Sequence, residues 1–150
     1  MRAVVLYSTK SGNTQKVAYE IASELNCEFL RITKTNPAQT VDLINYDLIV
    51  IGTGIHAGNP YEDMVAYLNT VTLKKPKTFA LFVTWGGAGK TNRIVITKLK
   101  TILESKNQTV VENFFNCYGG WKVLKRGHPN PEDFKAARIW AQKTVKTISV

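Results

Sequence analysis

Hydroxyl-bearing and small residues crowd a short stretch near the start of the chain. It follows the apolar run Ala3–Tyr7, and its members are Ser8, Thr9, Lys10, Ser11, Gly12, Asn13 and Thr14. If a helix begins near Asn13, the unpaired N–H groups of its first turn attract an anion, and nearby hydroxyls add hydrogen-bond donors. Gly12 lets the backbone approach a ligand closely. The stretch therefore predicts a phosphate site, with an ordinary capped turn as the alternative.

Two later stretches combine glycines with one flat side chain each. Gly52–Pro60 contains His56, and Thr84–Gly89 contains Trp85. Each follows a buried apolar run, so we expect both stretches to be loops at the same edge of a sheet. Flat side chains stack on planar heterocycles while backbone groups bind the polar edge. The two loops therefore predict a ring-binding site; core packing of Trp85 and solvent exposure of His56 are the alternatives.

The elements that must position these loops alternate between short apolar runs and amphipathic stretches. The predicted strands are Ala3–Tyr7, Glu28–Thr33, Leu48–Ile51, Phe79–Val83 and Thr109–Cys117. Apolar residues at helical spacing lie between them and after the last, and Lys34–Asn45 fits a short helix or a loop. The alternation predicts a doubly wound five-stranded parallel sheet with helices on both faces, for which the order 2-1-3-4-5 is permitted. In such a sheet the ligand lies beyond the carboxyl ends of the strands.

Two dipeptides predict helix starts, because each places a capping residue before a proline at the first helical position. They are Asn59-Pro60 and Asn130-Pro131. Asparagine side chains accept hydrogen bonds from the first turn, and proline has no N–H to leave unpaired there.

Composition bounds the class of protein. The 150 residues fit one domain, 1–150. No apolar run is long enough for a signal peptide core or a membrane span, so we expect a cytoplasmic protein. We also expect a monomer. Cys27 and Cys117 are expected to be buried thiols, and His56 and His128 are isolated from both, so no metal site is expected. The net charge is +9 and arises entirely in residues 76–150.

The first loop, Thr9-Lys10-Ser11-Gly12-Asn13-Thr14, resembles the flavodoxin phosphate loop T/S-x-T/S-G-x-T. The resemblance extends along the chain and implies a short-chain flavodoxin, which binds FMN non-covalently and carries electrons between redox proteins. It implies further FMN-binding residues in the two later loops: Thr53, Gly54, Ile55, His56, Ala57, Gly58, Asn59, Thr84, Trp85, Gly86, Gly87 and Gly89. Lys10 departs from the family pattern, because that loop is usually uncharged.

Parts of the sequence also fit other functions. YSTKSGNT and YDLIVIGTGIHAG also resemble flavodoxin-like protoporphyrinogen oxidase, so an FMN-dependent oxidoreductase of that type or of the quinone reductase type is the alternative. Gly89-Lys90-Thr91 ends like a nucleotide-binding P-loop, but Thr84 stands where that motif needs glycine. Nucleic-acid binding by the basic half is disfavoured, because basic and aromatic residues do not interleave on one element.

Several cations follow the predicted carboxyl ends of strands. They are Lys90, Arg93, Lys122, Lys125 and Arg126. Because most flavodoxins are acidic, a basic rim implies redox partners with acidic docking surfaces.

Overall fold

The computed structural model describes residues 1–34, 41–120 and 125–149. The strands are β1 (Ala3–Tyr7), β2 (Glu28–Arg31), β3 (Leu48–His56), β4 (Asn59–Pro60), β5 (Thr78–Trp85), β6 (Thr109–Val110) and β7 (Phe115–Tyr118). The helices are α1 (Asn13–Leu25), α2 (Glu62–Thr70), α3 (Thr91–Ser105) and α4 (Pro131–Ile148), with a 3₁₀ turn at Leu43–Asn45. The predicted rim residue Lys122, and residues 35–40 of the ambiguous stretch, lie outside the described residues.

The parallel sheet has the order β2-β1-β3-β5-β6, and β7 also pairs with β5 further along. The predicted order 2-1-3-4-5 is therefore confirmed, with β6 and β7 together in the fifth place. The single fifth strand predicted over Thr109–Cys117 is wrong. Phe79 pairs with Val110 and Phe82 pairs with Phe115. An advance of three residues along β5 therefore corresponds to an advance of five residues from β6 to β7. The two extra residues cannot stay in register and leave the ladder.

Helices cover both faces of the sheet, as predicted. One apolar cluster joins the sheet to α2 and α3 through side chains such as Met64 and Leu99. The other joins the opposite face to α1 and α4 through side chains such as Ile21 and Trp140. Strand residues alternate between the two clusters, since successive side chains point to opposite faces. Central strands buried on both faces explain the continuous apolar runs in the sequence.

One predicted helix start is confirmed and the other is wrong. Asn130 caps α4 in a reciprocal capping box with Asp133. By contrast, Asn59-Pro60 is the short strand β4, which pairs antiparallel with β3. The turn Ala57-Gly58 has φ of 49° and 74°, the left-handed pair of a type I′ hairpin, and it brings Asn59 opposite His56. Helix α2 begins only at Glu62.

Strands β3 and β5 are longer than predicted, so part of each expected loop is strand. β3 continues through Gly52 to His56, and β5 includes Thr84 and Trp85. Gly52 is needed inside the strand, because a Cβ there would lie 2.0 Å from the Phe82 ring. Glycine and threonine interrupt the apolar pattern without ending the strand, so the pattern alone placed the strand ends too early.

The thiols are free, and neither has the environment of a reactive nucleophile. Cys117 is buried, as predicted, whereas Cys27 is only half-buried. Burial raises the pKa of Cys27 to about 11 and that of Cys117 to about 12, and nearby Glu28 and Asp133 add to the two shifts. Within residues 1–34, 41–120 and 125–149, no His, Cys, Asp and Glu side chains group as metal ligands, and no helix is long and apolar enough to cross a membrane.

Candidate functional site

The turn between β1 and α1 leaves the start of α1 open. Gly12 is the N-cap residue, with φ of 89°, and no side chain of the described residues caps the first turn. The Gly12 N–H donates to Thr9 Oγ1 over 3.0 Å, which closes the turn beneath the helix. Lone N–H groups at a helix start combine with the helix dipole to favour an anion. The geometry is therefore suited to the predicted phosphate.

Some hydroxyls of the turn make buried hydrogen bonds, whereas one is exposed. Thr14 Oγ1 lies 2.8 Å from Thr84 Oγ1, and Ser8 Oγ donates to Thr53 Oγ1 over 3.1 Å. These buried pairs tie the turn to the ends of β3 and β5. Ser11 alone among the hydroxyl-bearing residues of the turn is exposed. It is therefore the hydroxyl of the turn that faces open space.

A cavity of about 710 Å³ lies beside this turn, at the carboxyl ends of the strands. The predicted site residues that line it are Lys10, Ser11, Asn13, Ile55, His56, Ala57, Gly58, Thr84, Trp85 and Gly86. Three separate chain segments thus meet around one space, as the topology predicted. The volume is in the range of ordinary cofactor sites.

The other predicted site residues do not line the cavity: Thr9, Gly12, Thr14, Thr53, Gly54, Asn59, Gly87 and Gly89. Thr53 and Gly54 are buried inside β3. Thr53 Oγ1 accepts from the Tyr61 N–H over 3.0 Å and donates to the Gly54 carbonyl over 2.8 Å. Thr53 therefore ties β3 to Tyr61, which lines the cavity.

Tyr61 is a cavity residue that the sequence reasoning missed. Its ring lies over Gly54, where a Cβ would come within 2.3 Å of the Tyr61 hydroxyl oxygen. Lys10 Nζ lies 4.9 Å from the ring centroid, so the turn after β1 reaches across to the segment after β4. Burial raises the pKa of Tyr61, which keeps the phenol neutral. An aromatic residue next to a glycine-rich hairpin was the available signal.

The opposite wall is formed by Trp85 and Gly86, with help from the end of the neighbouring strand. The Trp85 ring centroid lies 5.8 Å from that of Tyr118, and a Cβ at Gly87 would lie 2.9 Å from the Tyr118 ring. At Gly86 a Cβ would meet no protein atom within 4 Å, because the position opens into the cavity. A side chain there would extend into open space at the cavity.

Four further lining residues had no place in the prediction: Ala88, Thr91, Gly119 and Gly120. Asn13 Nδ2 donates to the Gly120 carbonyl over 2.9 Å. A Cβ at Gly119 would press on the Asn13 side chain at 3.1 Å. Asn13 therefore joins the phosphate turn to the segment that follows β7, a contact across 107 positions that sequence spacing does not reveal.

The β3–β4 hairpin forms one rim of the cavity. His56 is exposed on it, beside the Ala57-Gly58 turn. Lys98 Nζ, from α3, donates to Asn59 Oδ1 over 2.5 Å and lies 3.4 Å from the Gly58 carbonyl. The hairpin is thus fastened to a helix on the same face of the sheet.

Comparisons of the sequence and of the fold with known proteins both indicate the same family. The model of the flavodoxin domain matches residues 4–126. The chain is 33% identical over 155 aligned positions to an uncharacterized protein of Methanocaldococcus jannaschii, covering 97% of this chain and 99% of that protein. It is 31% identical to the flavodoxin-like domain-containing protein BilS of Clostridioides difficile, covering 79% of this chain and 66% of BilS. Oxidised Flavodoxin 2 from Bacillus cereus superposes with a TM-score of 0.77 at 17% identity, covering 98% of this chain and 99% of that one.

Proposed function

This chain belongs to the flavodoxin domain family, and from that premise we propose that it binds one FMN and carries electrons between redox proteins. The observation that carries the proposal is a single cavity with an anion-suited turn at one end and aromatic side chains at the other. FMN has the matching construction: a phosphate monoester on a ribityl chain, joined to a flat tricyclic ring.

The phosphate end would be held by the turn from Thr9 to Thr14. Uncapped N–H groups at the start of α1 and the exposed Ser11 hydroxyl are donors, and Gly12 leaves the approach free. The turn between β1 and α1 lacks the G-x-G-x-x-G fingerprint of a dinucleotide site, which favours a mononucleotide. Lys10 adds a positive charge at the cavity and favours an anionic ligand.

The ring end would lie between the β3–β4 hairpin and the start of the loop after β5. Trp85 and Tyr61 are the aromatic walls, and the hairpin supplies His56 and backbone groups. Gly86 fits this use, since it lines the cavity next to Trp85 and a Cβ there would meet no protein atom within 4 Å. Thr14 and Thr84 hold the two ends of the cavity together through their buried hydroxyl pair.

FMN, when bound, supplies one- and two-electron redox chemistry. The residues of this chain bind and orient it, limit its contact with water and set the charge around it. The carrier role is proposed from the likeness to the flavodoxin domain family. The +9 net charge favours redox partners with acidic docking surfaces.

The test is titration of the purified chain with FMN, riboflavin and FAD, followed by flavin absorbance and fluorescence. We expect tight one-to-one binding of FMN, with riboflavin weaker by at least about tenfold, since the phosphate contacts are then lost. Ser11→Ala should lower the affinity for FMN and leave the affinity for riboflavin unchanged. Ser23→Ala, at an exposed serine near the other end of α1, should change neither affinity. Equal affinity for FMN and riboflavin, or no flavin binding, would refute the phosphate assignment.

A second assay separates the carrier from the oxidoreductase alternative. The FMN-loaded chain is mixed with a reductant and either a quinone or a redox protein as electron acceptor. A carrier transfers electrons to the protein acceptor and turns over poorly with the quinone. Fast steady-state turnover with the quinone alone would establish a reductase instead.

A further inference from the structure

We propose that a redox protein with an acidic surface docks on a basic patch centred on Tyr118, and that Trp85 connects this patch to the cavity. The Tyr118 patch consists of Lys90, Arg93, Tyr118, Lys125 and Arg126. The proposal rests on the proposed function, because the docked partner would exchange electrons with the cavity ligand. It adds a location and a chemistry for the partner.

The centre of the patch is an exposed aromatic ring. Tyr118 is 36% exposed at the end of β7, where it pairs in register with Trp85 at the end of β5. Trp85 lines the cavity, and the two ring centroids are 5.8 Å apart. Tyr118 therefore lies outside the cavity with one aromatic side chain between. Large exposed aromatics at the centre of an interface contribute strongly to binding.

The ring of Tyr118 is already held in place. Lys125 Nζ lies 4.1 Å from its centroid, and the edge of His128 lies against it with centroids 5.5 Å apart. His128 is itself fixed by a 2.7 Å contact between its Nδ1 and Asp133 Oδ2. A pre-ordered side chain loses little entropy on docking, so more of its contact energy appears as affinity.

Two chain segments on either side of β7 bring the positive charge. Lys125 and Arg126 follow β7 and are exposed, as are Lys90 and Arg93 at the start of α3. The start of α3 reaches β7 through Asn92 Nδ2, which lies 3.4 Å from Asn116 Oδ1. None of the four cations forms an ion pair with another described residue.

Acidic groups near the patch do not cancel it. Asp133 accepts from the Asn130 N–H within the α4 capping box and contacts His128. Glu132 is the exposed acidic neighbour. Lys125 over the exposed Tyr118 ring, with exposed cations at the start of α3 and after β7, is therefore complementary to an acidic partner surface with an apolar centre, and the charges would speed its encounter.

The experiment compares two double variants with the same change in charge. Lys125→Glu with Arg126→Glu alters the patch. Lys74→Glu with Lys75→Glu is the control, because both lysines are exposed and precede β5, at the opposite edge of the sheet from the cavity. Each FMN-loaded protein is reduced and mixed by stopped flow with an acidic acceptor, cytochrome b5, or a basic one, cytochrome c, at about 20 mM and about 200 mM salt.

At low salt we expect the patch variant to reduce cytochrome b5 at least about tenfold more slowly than the parent, and the control variant to slow it by less than about threefold. The difference should shrink at high salt. With cytochrome c the patch variant should react faster than the parent. Equal slowing by the two variants would mean that overall charge, and not this patch, attracts the partner, and would overturn the proposal.

The aromatic centre has its own test. Tyr118→Ala should slow the reduction of cytochrome b5 several-fold at both salt concentrations, because apolar contact is not screened by ions. Tyr19→Ala is the matched control, since Tyr19 is 54% exposed on α1, away from β7. An unchanged rate in Tyr118→Ala at both salt concentrations would remove Tyr118 from the interface.

Failure of this proposal can be told from failure of FMN binding. Flavin absorbance of every variant is recorded first, and binding of oxidised cytochrome b5 to the immobilised chain is measured with and without FMN. Weaker cytochrome binding by the patch variant, with no FMN bound to any variant, would support the docking surface and refute the proposed function. Unchanged cytochrome binding, or loss only of single-stranded DNA binding in a parallel titration, overturns the proposal whatever the flavin result.

Discussion

At the scale of single residues, the hydroxyl groups near the start of α1 carry two different tasks. Thr14 and Ser8 are hydrogen-bonded to Thr84 and Thr53 and are buried with them, whereas Ser11 faces open space. A buried hydroxyl without a partner costs about 1–3 kcal/mol, so such pairs are strong positioning contacts. The same residue type thus fixes the shape of the site at one position and is free for a ligand at another.

Gly86 offers a direct test of the cavity at this scale. Gly86→Leu should leave the fold intact, because a Cβ there meets no protein atom within 4 Å, but the side chain should occupy space beside Trp85. We expect FMN affinity to fall by at least about tenfold, or more than about 1.4 kcal/mol. Fluorescence titration measures the affinity, and thermal unfolding of the ligand-free chain checks the fold.

The matched control for that change is Gly127→Leu. Gly127 is exposed, and a Cβ there also meets no atom within 4 Å, yet it does not line the cavity. This variant should bind FMN as the parent does. If Gly86→Leu also binds FMN normally, the space beside Trp85 is not the ring site.

The residue types and their order along the chain predicted much of this candidate site. The residues that were not predicted depend on how side chains and segments are oriented in the folded chain. The glycine-rich and hydroxyl-rich loops do meet around one cavity, because parallel strands deliver their carboxyl ends to one edge. Tyr61 directly follows Asn59-Pro60, for which the sequence predicted a helix start, whereas in the structure its ring covers Gly54. The hydrogen bond between Asn13 and Gly120 is a tertiary contact, and the local sequence pattern does not predict such contacts.

At the scale of elements, the β3–β4 hairpin is the part of the site that the sequence described least well. Its turn uses Ala57 at φ of 49°, a conformation that Asn and Gly adopt more readily than Ala. An Asn-Pro pair usually favours a helix start, but cross-strand pairing with His56 took precedence here. The start of α4 was predicted correctly, because Asn130, Pro131 and Asp133 together provide the cap, the first helical residue and the capping box.

Ala57→Asn should stabilise this hairpin, because Asn-Gly is a favoured pair for a type I′ turn. We expect the free energy of unfolding to rise by about 0.5–1 kcal/mol, measured by urea denaturation of the ligand-free chain. Ala66→Asn, at an exposed position within α2, is the control and should lower it by about 0.5 kcal/mol through helix propensity. Destabilisation by Ala57→Asn would contradict the assigned turn geometry.

At the scale of the whole molecule, charge and apolar surface are distributed in different ways. Positive charge is concentrated in the second half of the sequence, where α3 and the segment after β7 bring cations toward the Tyr118 patch. The exposed large apolar side chains of the described residues, by contrast, are spread over separate elements. They are Met1, Tyr19, Ile44, Ile94, Tyr118 and Ile139. Scattered apolar residues of this kind are normal for a monomer surface.

We therefore predict that the chain is a monomer of 16.8 kDa in solution. A stable dimer needs a contiguous complementary surface, and a net charge of +9 repels a second copy most strongly at low salt. Sedimentation equilibrium at about 20 mM and about 150 mM salt should give the monomer mass at both concentrations, across a wide range of protein concentration. A dimer at either salt concentration would show that an unrecognised surface is self-complementary. If Lys125→Glu with Arg126→Glu then changed the dimer fraction, the Tyr118 patch would be a contact between two copies of this chain instead of a docking site for another protein.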